Sequence, residues 1–385
     1  MSRNRKIVLL GATGSIGQSA MKVARAIPDR MEIVGMSANR NIDGIIAAAR
    51  EFKPKLLCIG DKNDAERVRQ ELGSATKVVS GAEGLVELAT LESADMVLIA
   101  IVGTAGLAPS LAAIEAGKDL AVASKEILVA AGEIVMAAAA KKGVQVLPVD
   151  SEHNAIFQCL GGRTASGVRR LILTCSGGPF RTTPAAELEK VTPEMALRHP
   201  TWTMGRKITI DSASLFNKGL EMIEAHSLFG ISMDKVDVVI HPQSIVHSLV
   251  EFVDGSMLAQ MSHTDMCFPI QYAVTWPERL PSMQKALDLA ELGKLDFERP
   301  REEDFPALGL SREAGLRGGT LPAVLNAANE VAVEAFLDRR IAFPKIWSIV
   351  EHAMQKTPFV ASPTLEEILQ ADAVAREVAT SLVGK

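Results

Sequence analysis

The chain of 385 residues, 48% of them hydrophobic, is long enough for two or three domains that each have a core of their own. Its 41 basic and 46 acidic residues give a net charge of -5, which excludes a broad basic surface for nucleic acid or anionic lipid and favours small-molecule partners. The four cysteines lie far apart and fit neither a zinc pattern nor a disulfide framework, so we expect reduced thiols and a cytoplasmic protein.

Two stretches bear on targeting. The N-terminal residues lead straight into an apolar strand, so we expect neither a signal nor a transit segment. The uncharged stretch 96–114 approaches the length of a membrane span, but glycines and a proline interrupt it. A buried strand followed by a helix is the favoured interpretation.

In residues 1–149, short apolar runs typical of buried strands alternate with helical patterns. Such alternation predicts an α/β fold with a Rossmann-like, doubly wound, mostly parallel sheet. The predicted strands are 6–10, 31–36, 55–59, 77–79, 96–101, 120–123 and 144–149. Because such sheets bind ligands at the carboxyl ends of their strands, the residues after each strand are the candidates for function.

A glycine-rich turn, GATGSIG at 11–17, follows the first strand and precedes a predicted helix over 18–26. This placement is typical of dinucleotide sites, in which glycines let the backbone approach a pyrophosphate. The N–H groups of residues 13–16 at the helix start would supply the anion site. A merely structural turn is the alternative.

The segment after the second strand, Asn39-Arg40-Asn41, contains no acid, although NAD-specific sites usually place one there for the ribose hydroxyls. Arg40 could instead pair with a 2'-phosphate in a bidentate contact. The sequence therefore predicts NADPH rather than NADH, unless Arg40 is an ordinary solvent-facing arginine.

Acids follow the seventh predicted strand. Asp150 and Glu152, with Ser151 between them, could converge on one hard cation if a third oxygen ligand came from elsewhere, and Glu221 is the candidate. Lys125 follows the preceding strand and should emerge at the same sheet edge, so a lysine and two carboxylates form a candidate reaction centre. The alternative is that Asp150 and Ser151 only cap the next helix.

The middle of the chain offers candidate phosphate-binding and lid segments. A strand over 169–174 ends in CSGGPF, where glycine N–H groups lie beside the hydroxyl of Ser176, as in many phosphate sites; a hairpin-like turn is the alternative. The segment 185–206 mixes prolines with His199, Trp202 and Met204, which predicts a mobile lid.

Residues 207–210 predict a short strand, and 211–229 predict a helix that stops at Gly230. Asn217, Lys218 and Glu221 are spaced to share one face of this helix. Ser212 would lie near its positive end, which suits a phosphate. A capped amphipathic helix with a surface Lys-Glu pair is the alternative.

From residue 236 onward the pattern predicts antiparallel strands with a turn at Asp254-Gly255, and such a sheet often pairs across a two-fold axis, so we expect a homodimer. Amphipathic helices are predicted over 320–337, 346–355 and 364–382. The predicted domains are a cofactor-binding domain over 1–149, a central α+β catalytic domain over 150–280 with a dimer-forming sheet, a linker over 281–310 and a small helical domain over 311–385.

Six motifs are distributed between residues 11 and 226: GATGSIG at 11–17, SKE at 124–126, VDSEHNA at 149–155, CSGGPF at 175–180, HPTWTMGRK at 199–207 and DSASLFNKGLEMIEAH at 211–226. Together they resemble the 1-deoxy-D-xylulose 5-phosphate reductoisomerase family. The resemblance implies rearrangement of 1-deoxy-D-xylulose 5-phosphate and its reduction by NADPH to 2-C-methyl-D-erythritol 4-phosphate. It further implies a divalent cation, Mn²⁺, Mg²⁺ or Co²⁺, and a place in the non-mevalonate isoprenoid pathway.

The resemblance also implies roles for single residues. The implied metal ligands are Asp150, Glu152 and Glu221, and the implied catalytic residues are Lys125, Glu152 and Lys218. The implied substrate contacts are Lys125, Ser151, Glu152, Ser176, His199, Ser212, Asn217, Lys218 and Glu221. The implied cofactor contacts are Thr13, Gly14, Ser15, Ile16, Asn39, Arg40, Asn41, Ser124, Glu126 and Gly205. The implied lid residues are His199, Trp202 and Met204.

Two positions depart from the family pattern. Ser124 stands where asparagine is more frequent, and Asn39-Arg40 stands where Gly-Lys is familiar. Both concern cofactor contacts and leave the implied reaction unchanged.

Two other functions fit parts of the sequence. An NADP-dependent semialdehyde dehydrogenase shares a GATG-type turn and would use Cys175 as its nucleophile, with no need for a metal. A non-enzymatic NADPH sensor would need neither the lysine nor the three acids. Turnover in excess chelator would distinguish the dehydrogenase.

Overall fold

The computed structural model describes residues 4–384, which form two compact units. Unit 1 comprises the chain up to Ile127 together with Glu133–Asn154 and Asp265–Lys285. Unit 2 comprises Leu128–Gly132, Ala155–Thr264 and the chain from Ala286 onward. Each unit is therefore assembled from separate stretches of sequence, and the four consecutive domains drawn from the sequence stay a prediction.

Unit 1 contains a parallel seven-stranded sheet in the order β4-β3-β2-β1-β5-β6-β7. Its strands are β1 (Arg5–Leu10), β2 (Met31–Ala38), β3 (Leu56–Ile59), β4 (Lys77–Ser80), β5 (Met96–Ile99), β6 (Asp119–Val122) and β7 (Val146–Pro148). The strand order changes direction between β1 and β5, which makes the carboxyl ends of these two strands the usual place for a ligand. The predicted doubly wound sheet is confirmed.

The central strands form because their side chains are buried on both faces, as in other parallel sheets with helices on either side. All four residues from Ile7 to Leu10 are inaccessible to solvent. The first helices along the chain are α1 (Ser15–Ala26), α2 (Ile42–Phe52), α3 (Lys62–Leu72), α4 (Gly81–Ala89), α5 (Leu107–Glu115), α6 (Glu126–Lys142) and α7 (Ser151–Leu160). Helix α6 is kinked at Ala131, whose φ and ψ are -140° and 30°.

Unit 2 contains a four-stranded sheet in the order β11-β10-β8-β9, formed by β8 (Val168–Cys175), β9 (Val236–Ile240), β10 (Val246–Phe252) and β11 (Met257–Met261). Strands β10 and β11 form the predicted antiparallel hairpin around Asp254-Gly255. The prediction that residues from 236 onward are all antiparallel is wrong for β9, which pairs in parallel with β8. The long helical connection between these two strands allows the parallel crossover.

The remaining helices are α8 (Pro193–Ala196), α9 (Arg206–Ser214), α10 (Phe216–Phe229), α11 (Cys267–Thr275), α12 (Leu289–Leu292), α13 (Ala307–Arg317), α14 (Leu321–Leu337), α15 (Lys345–Lys356) and α16 (Leu365–Val383). Helix α11 packs on α1, β6 and β7 and belongs to unit 1. The C-terminal helices share one apolar core with the sheet of unit 2, in which Phe180, Phe343 and Trp347 meet edge to face.

The predicted strand over 207–210 is wrong, because these residues belong to α9. Its β-branched residues resemble a strand in sequence, but packing of α9 in the core overrides that preference. Thr209 donates its hydroxyl to the Gly205 carbonyl at 2.8 Å, which satisfies this polar group within the helix. The helix predicted over 211–229 is likewise two helices, separated at Leu215, whose φ of 65° is left-handed.

The four cysteines, Cys58, Cys159, Cys175 and Cys267, are all free thiols. Within residues 4–384, no helix combines the length and apolarity that a membrane span requires.

Candidate active site

The glycine-rich turn of unit 1 follows the carboxyl end of β1, next to the carboxyl end of β5. Gly11 has a φ of 91°, and a Cβ atom there would lie 2.4 Å from the Ala100 carbonyl oxygen, so only glycine fits. Helix α1 then begins at Ser15 with Gly14 as its N-cap residue and no capping side chain. The first-turn N–H groups of α1 are therefore available to an anion.

The end of β2 supports this turn. Gly11 donates its N–H to the Ser37 hydroxyl at 3.0 Å, and Ala12 donates to the Ser37 carbonyl at 2.9 Å. Arg40 is exposed just beyond β2, and Asn41 accepts the Gly44 N–H at 2.9 Å as the N-cap of α2. The segment after β2 thus presents an accessible guanidinium.

The acids of unit 1 lie beside the predicted lysine. Strands β6 and β7 pair Val122 with Pro148, so the residues that follow them emerge side by side. The Lys125 ammonium forms an ion pair with the Asp150 carboxylate, and Lys125 is only 4% exposed. Because a buried ammonium and a buried carboxylate offset each other's desolvation, this pair holds its geometry.

Ser151 connects the two acids. Its N–H donates to Asp150 Oδ1 at 3.0 Å, and its hydroxyl donates to Glu152 Oε2 at 2.6 Å. Ser124 and Glu126, on either side of Lys125, are both buried, and Ser124 donates its hydroxyl to the Ile101 carbonyl. The structure therefore brings Lys125, Asp150, Ser151 and Glu152 together within unit 1.

Asn154 received no role from sequence, although it stands inside VDSEHNA. Its carboxamide donates to the Pro148 carbonyl at 2.9 Å and to the Pro269 carbonyl at 3.3 Å. It thereby ties the start of α7 to β7 and to α11. The remote partner Pro269 could not be found from the motif alone.

In unit 2, two serines meet one histidine. His199 Nε2 lies 3.1 Å from Ser176 Oγ and 3.0 Å from Ser212 Oγ. The loop after β8 reaches α9 because Gly178 has a φ of 66° and packs on its backbone; a Cβ atom there would lie 2.9 Å from the Ser212 carbonyl oxygen. The predicted phosphate-binding serines are thus brought together.

Hydrogen bonds define the tautomer of His199. Its Nδ1 accepts the N–H groups of Thr201 at 3.2 Å and Trp202 at 2.9 Å, so in the neutral ring Nε2 carries the hydrogen. Burial lowers the pKa of His199 to about 4, which keeps the imidazole neutral at pH 7. His199 can therefore donate one N–H to an oxygen of a ligand without carrying charge.

The prediction that Ser212 lies at a helix start is wrong. It is in the last turn of α9, and the helix that begins nearby is α10, whose first turn carries Asn217 and Lys218. Asn217 donates its carboxamide to Glu221 Oε1 at 2.5 Å, and the Lys218 ammonium bonds to the other carboxylate oxygen. Glu221 belongs to unit 2, whereas the other two predicted metal ligands belong to unit 1.

The predicted lid has two unlike halves. Leu188, Val191 and Ala196 are buried in the core of unit 2. Beyond them, Trp202 is half-buried, with its ring centroid 6.2 Å from that of His247. Met204 is also half-buried, and exposed Gly205 is the N-cap residue of α9.

His247 and Ser244 lie beside this segment and received no role from sequence. The Ser244 hydroxyl lies 3.2 Å from that of Thr201, and Ser244 has a left-handed φ of 54°. The Ser262 hydroxyl lies 2.9 Å from Nε2 of the buried His247. Burial lowers the pKa of His247 to about 4.

Comparison with known families matches most of the chain. A family model described as 1-deoxy-D-xylulose 5-phosphate reductoisomerase matches residues 7–132. The model of the C-terminal domain of this reductoisomerase matches residues 146–229, and a second C-terminal model, described as DXP reductoisomerase C-terminal domain, matches residues 261–378.

Relatives with this name cover nearly the full chain. The reductoisomerase of Geobacillus sp. (strain WCH70) is 51% identical over 98% of this chain and 99% of the relative. That of Chlorobaculum tepidum is 50% identical over 99% of this chain and 100% of the relative.

Two solved structures are also similar. The Zymomonas mobilis enzyme in complex with NADPH has a TM-score of 0.93 and 45% identity, with 99% of each chain covered. A DOX-P reductoisomerase in complex with NADPH, fosmidomycin and magnesium has a TM-score of 0.92 and 41% identity, with 98% of each chain covered.

These similarities confirm the predicted enzyme class, an NADPH-dependent oxidoreductase, and favour neither a Cys175-dependent dehydrogenase nor an NADPH sensor. Since relatives about half identical extend over nearly its whole length, the chain belongs to the 1-deoxy-D-xylulose 5-phosphate reductoisomerase family.

Proposed function

We propose that this chain converts 1-deoxy-D-xylulose 5-phosphate to 2-C-methyl-D-erythritol 4-phosphate through a reacting group of residues in unit 1 and a phosphate-binding group in unit 2. The observation that carries the proposal is the edge of the parallel sheet where Lys125 pairs with Asp150 and Ser151 donates to Glu152. A lysine, a hydroxyl and two carboxylates at the ligand edge of a dinucleotide fold suit a polar reaction on a carbonyl substrate.

The residues fit a hard divalent cation. We assign Asp150, Glu152 and Glu221 as its ligands, because all three offer carboxylate oxygens, which Mg²⁺, Mn²⁺ and Co²⁺ accept. Bound there, the cation would supply Lewis-acid stabilisation of the charge that develops on adjacent substrate oxygens. Buried Lys125 bonds to Asp150 and buried Lys218 bonds to Glu221, so each lysine offsets the charge of its own carboxylate.

Protons move through the residues at the end of β7. Ser151 already donates its hydroxyl to Glu152, so this pair can pass a hydroxyl proton from the substrate to the carboxylate. Lys125 donates toward the reacting oxygens from a buried position and stabilises negative charge there. Lys218, the other buried lysine of the proposed site, likewise stabilises negative charge on the substrate.

The residues of unit 1 also fit NADPH, which would supply the hydride. The uncapped start of α1 would hold the pyrophosphate, and exposed Arg40 would pair with the 2'-phosphate. The assigned cofactor contacts are Thr13, Gly14, Ser15, Ile16, Asn39, Arg40, Asn41, Ser124, Glu126 and Gly205.

The substrate phosphate binds in unit 2. Ser176, Ser212 and Asn217 offer neutral donors, His199 donates from Nε2, and Lys218 supplies positive charge. The segment 198–205, which carries His199 and Trp202, closes over the bound ligand and excludes water.

The assembly and location follow from smaller observations. In the four-stranded sheet, β11 is at the edge and exposes Met257 and Leu258, so we assign this edge to pairing with a second copy of the chain. The free cysteines suit the reducing cytoplasm.

Oxidation of NADPH with 1-deoxy-D-xylulose 5-phosphate, with and without Mn²⁺, tests the proposal. We expect turnover only with the phosphorylated ketose and the cation, and its loss on adding excess chelator. Undiminished turnover in chelator, or equal rates with ketoses that lack the phosphate, would overturn it.

A further inference from the structure

Helix α9 carries Ser212, a phosphate-binding serine of the proposed function. Hydrogen bonds within this nine-residue helix fix its internal geometry but not its rotation about its own axis, because they turn with the helix. That rotation decides whether the Ser212 hydroxyl stays 3.0 Å from His199 Nε2. Contacts on other sides of α9 must therefore hold it.

Asp211, the residue before Ser212, makes such a contact. Successive helical residues point about 100° apart, so Asp211 lies on a different side of α9 from Ser212. It is 1% exposed, accepts a hydrogen bond from Asn329 Nδ2 at 2.8 Å on Oδ1, and lies 2.7 Å from Lys207 Nζ through Oδ2.

The two partners of Asp211 differ in how firmly they are held. Lys207 belongs to α9 itself and has a partly exposed side chain, so it moves with the helix. Asn329 lies fully buried on α14, between Leu325, Ala328 and Ala332, which are inaccessible to solvent. Asn329 is thus a fixed point outside α9.

We propose that Asp211 and Asn329 are positioning residues that hold α9 in the rotation at which Ser212 faces the substrate phosphate. Helix α14, far from Ser212 in sequence, thereby affects substrate binding without contacting the substrate. A second bond acts in the same sense, because Trp347 of α15 donates its indole N–H to the Ser214 carbonyl at 3.1 Å. The inference rests on the phosphate site of the proposed function.

Asn329→Ala tests the bond. We expect the KM for 1-deoxy-D-xylulose 5-phosphate to rise about three- to tenfold, the range for losing one hydrogen bond. The kcat and the KM for NADPH should stay unchanged, since the reacting residues are held by other elements. Asn329→Leu, which keeps most of the buried volume, should give the same increase and serves if the alanine variant does not fold.

Asn326→Ala is a matched control. Asn326 lies one turn earlier on α14, is equally buried, and donates Nδ2 to Glu330 of its own helix at 3.0 Å. Among the described residues, the Oδ1 atoms of Asn326 and Asn329 both have no hydrogen-bond partner, so both variants remove the same kind of groups. The control should leave the KM unchanged.

A double variant identifies the partner. If Asp211 and Asn329 act through their common bond, Asp211→Ala with Asn329→Ala should raise the KM no more than Asp211→Ala alone. Multiplying effects would show independent roles and overturn the inference. So would equal KM values in Asn329→Ala and Asn326→Ala, or parallel losses of kcat and NADPH affinity in Asn329→Ala.

Ser212→Ala separates the two proposals. An unchanged KM in Ser212→Ala overturns the phosphate site itself. A raised KM in Ser212→Ala with an unchanged KM in Asn329→Ala overturns the positioning role alone.

Discussion

Buried charges at single residues make the sharpest tests of the proposed site. Lys218 is 2% exposed and bonded to Glu221, which is fully buried. Removing a partner from such a pair leaves the other charge buried and uncompensated, which costs more than the pair contributes.

Lys218→Ala should therefore weaken both binding and folding. We expect the KM for the phosphorylated substrate to rise at least about tenfold, as for a lost charged hydrogen bond, and the free energy of unfolding to fall by about 3 kcal/mol. Steady-state kinetics and urea unfolding measure the two effects. Lys190→Ala, whose lysine is exposed and pairs with Glu187, should change neither. An unchanged KM would remove Lys218 from the site.

The acids after β7 test the assigned cation. Asp150→Asn and Glu152→Gln should weaken Mn²⁺ binding and lower turnover at fixed metal concentration, because each loses a charged oxygen ligand. Asp119→Asn is the control, because Asp119 lies at the amino end of β6, whereas the two acids follow the carboxyl end of the neighbouring strand β7. A calorimetric titration that showed wild-type Mn²⁺ affinity in both variants would make the ligand assignment wrong.

Arg40 tests the cofactor preference. Arg40→Ala should lower the affinity for NADPH much more than that for NADH, because only NADPH offers a 2'-phosphate to the guanidinium. Fluorescence titration with both cofactors measures the ratio. The exposed Arg50, which pairs with Glu71, provides a control variant. Equal losses for both cofactors would assign Arg40 a structural role.

At the scale of elements, the sequence predicted those whose burial follows a simple period. Strands such as Ile7 to Leu10 are apolar throughout because both faces are covered, and this reads directly from the sequence. The prediction for α9 was wrong because Ile208, Thr209 and Ile210 favour a strand locally, whereas packing in the core selects a helix. The helix break at Leu215 requires a left-handed backbone conformation, which leucine rarely adopts, so the local sequence does not predict this break.

The sequence likewise predicted the position of some residues of the candidate site but not of others. Lys125 and Asp150 could be placed at one sheet edge because parallel strands align their carboxyl ends. The contact of Ser176 with His199 depends on loops that cross unit 2, and sequence periodicity carries no information on such distances. The local pattern named Ser176 as a phosphate-site candidate, and the family resemblance named His199 as a substrate contact, but neither predicted that the two side chains meet.

The lid gives an expectation for one element. Residues 188–196 include side chains buried in the core, so within the predicted lid only 198–205 should exchange amide hydrogens rapidly in the free protein. We expect the bonds from the Thr201 and Trp202 N–H groups to His199 to open and close as this segment moves. A phosphonate mimic of the substrate should slow that exchange, and Trp202→Gly should reduce both turnover and affinity while leaving Mn²⁺ binding intact. Hydrogen exchange measured with and without the mimic checks this. Strong protection of 198–205 in the free protein would contradict it.

At the scale of the whole molecule, two buried histidines link stability to pH. Burial lowers the pKa of both His199 and His247 from 6.5 to about 4. Between these values the unfolded chain takes up protons that the folded chain does not, so the free energy of unfolding falls as the pH drops from 6.5 to 4. Below about pH 4 both states are protonated and this loss levels off.

Urea unfolding at several pH values measures the effect. For His247, which is 5% exposed, the difference between the two pKa values corresponds to roughly 3 kcal/mol. His247→Asn should show a decline over this window that is smaller by about that amount. Parallel declines in wild type and His247→Asn would contradict the assignment.

Helix α11 has a consequence for how the protein is made. A ribosome releases the chain from its N-terminus, so all seven strands of the parallel sheet emerge long before Cys267–Thr275 does. Until then the surfaces of α1, β6 and β7 that α11 covers stay bare. The Pro269 carbonyl that accepts from Asn154 is likewise absent, so the acids at 150 and 152 lack part of their support. A nascent chain stalled near residue 200 should therefore contain the parallel sheet, but the residues at the carboxyl end of β7 should not yet be held in place. The uncovered apolar surface of α1, β6 and β7 would then be a binding site for a chaperone.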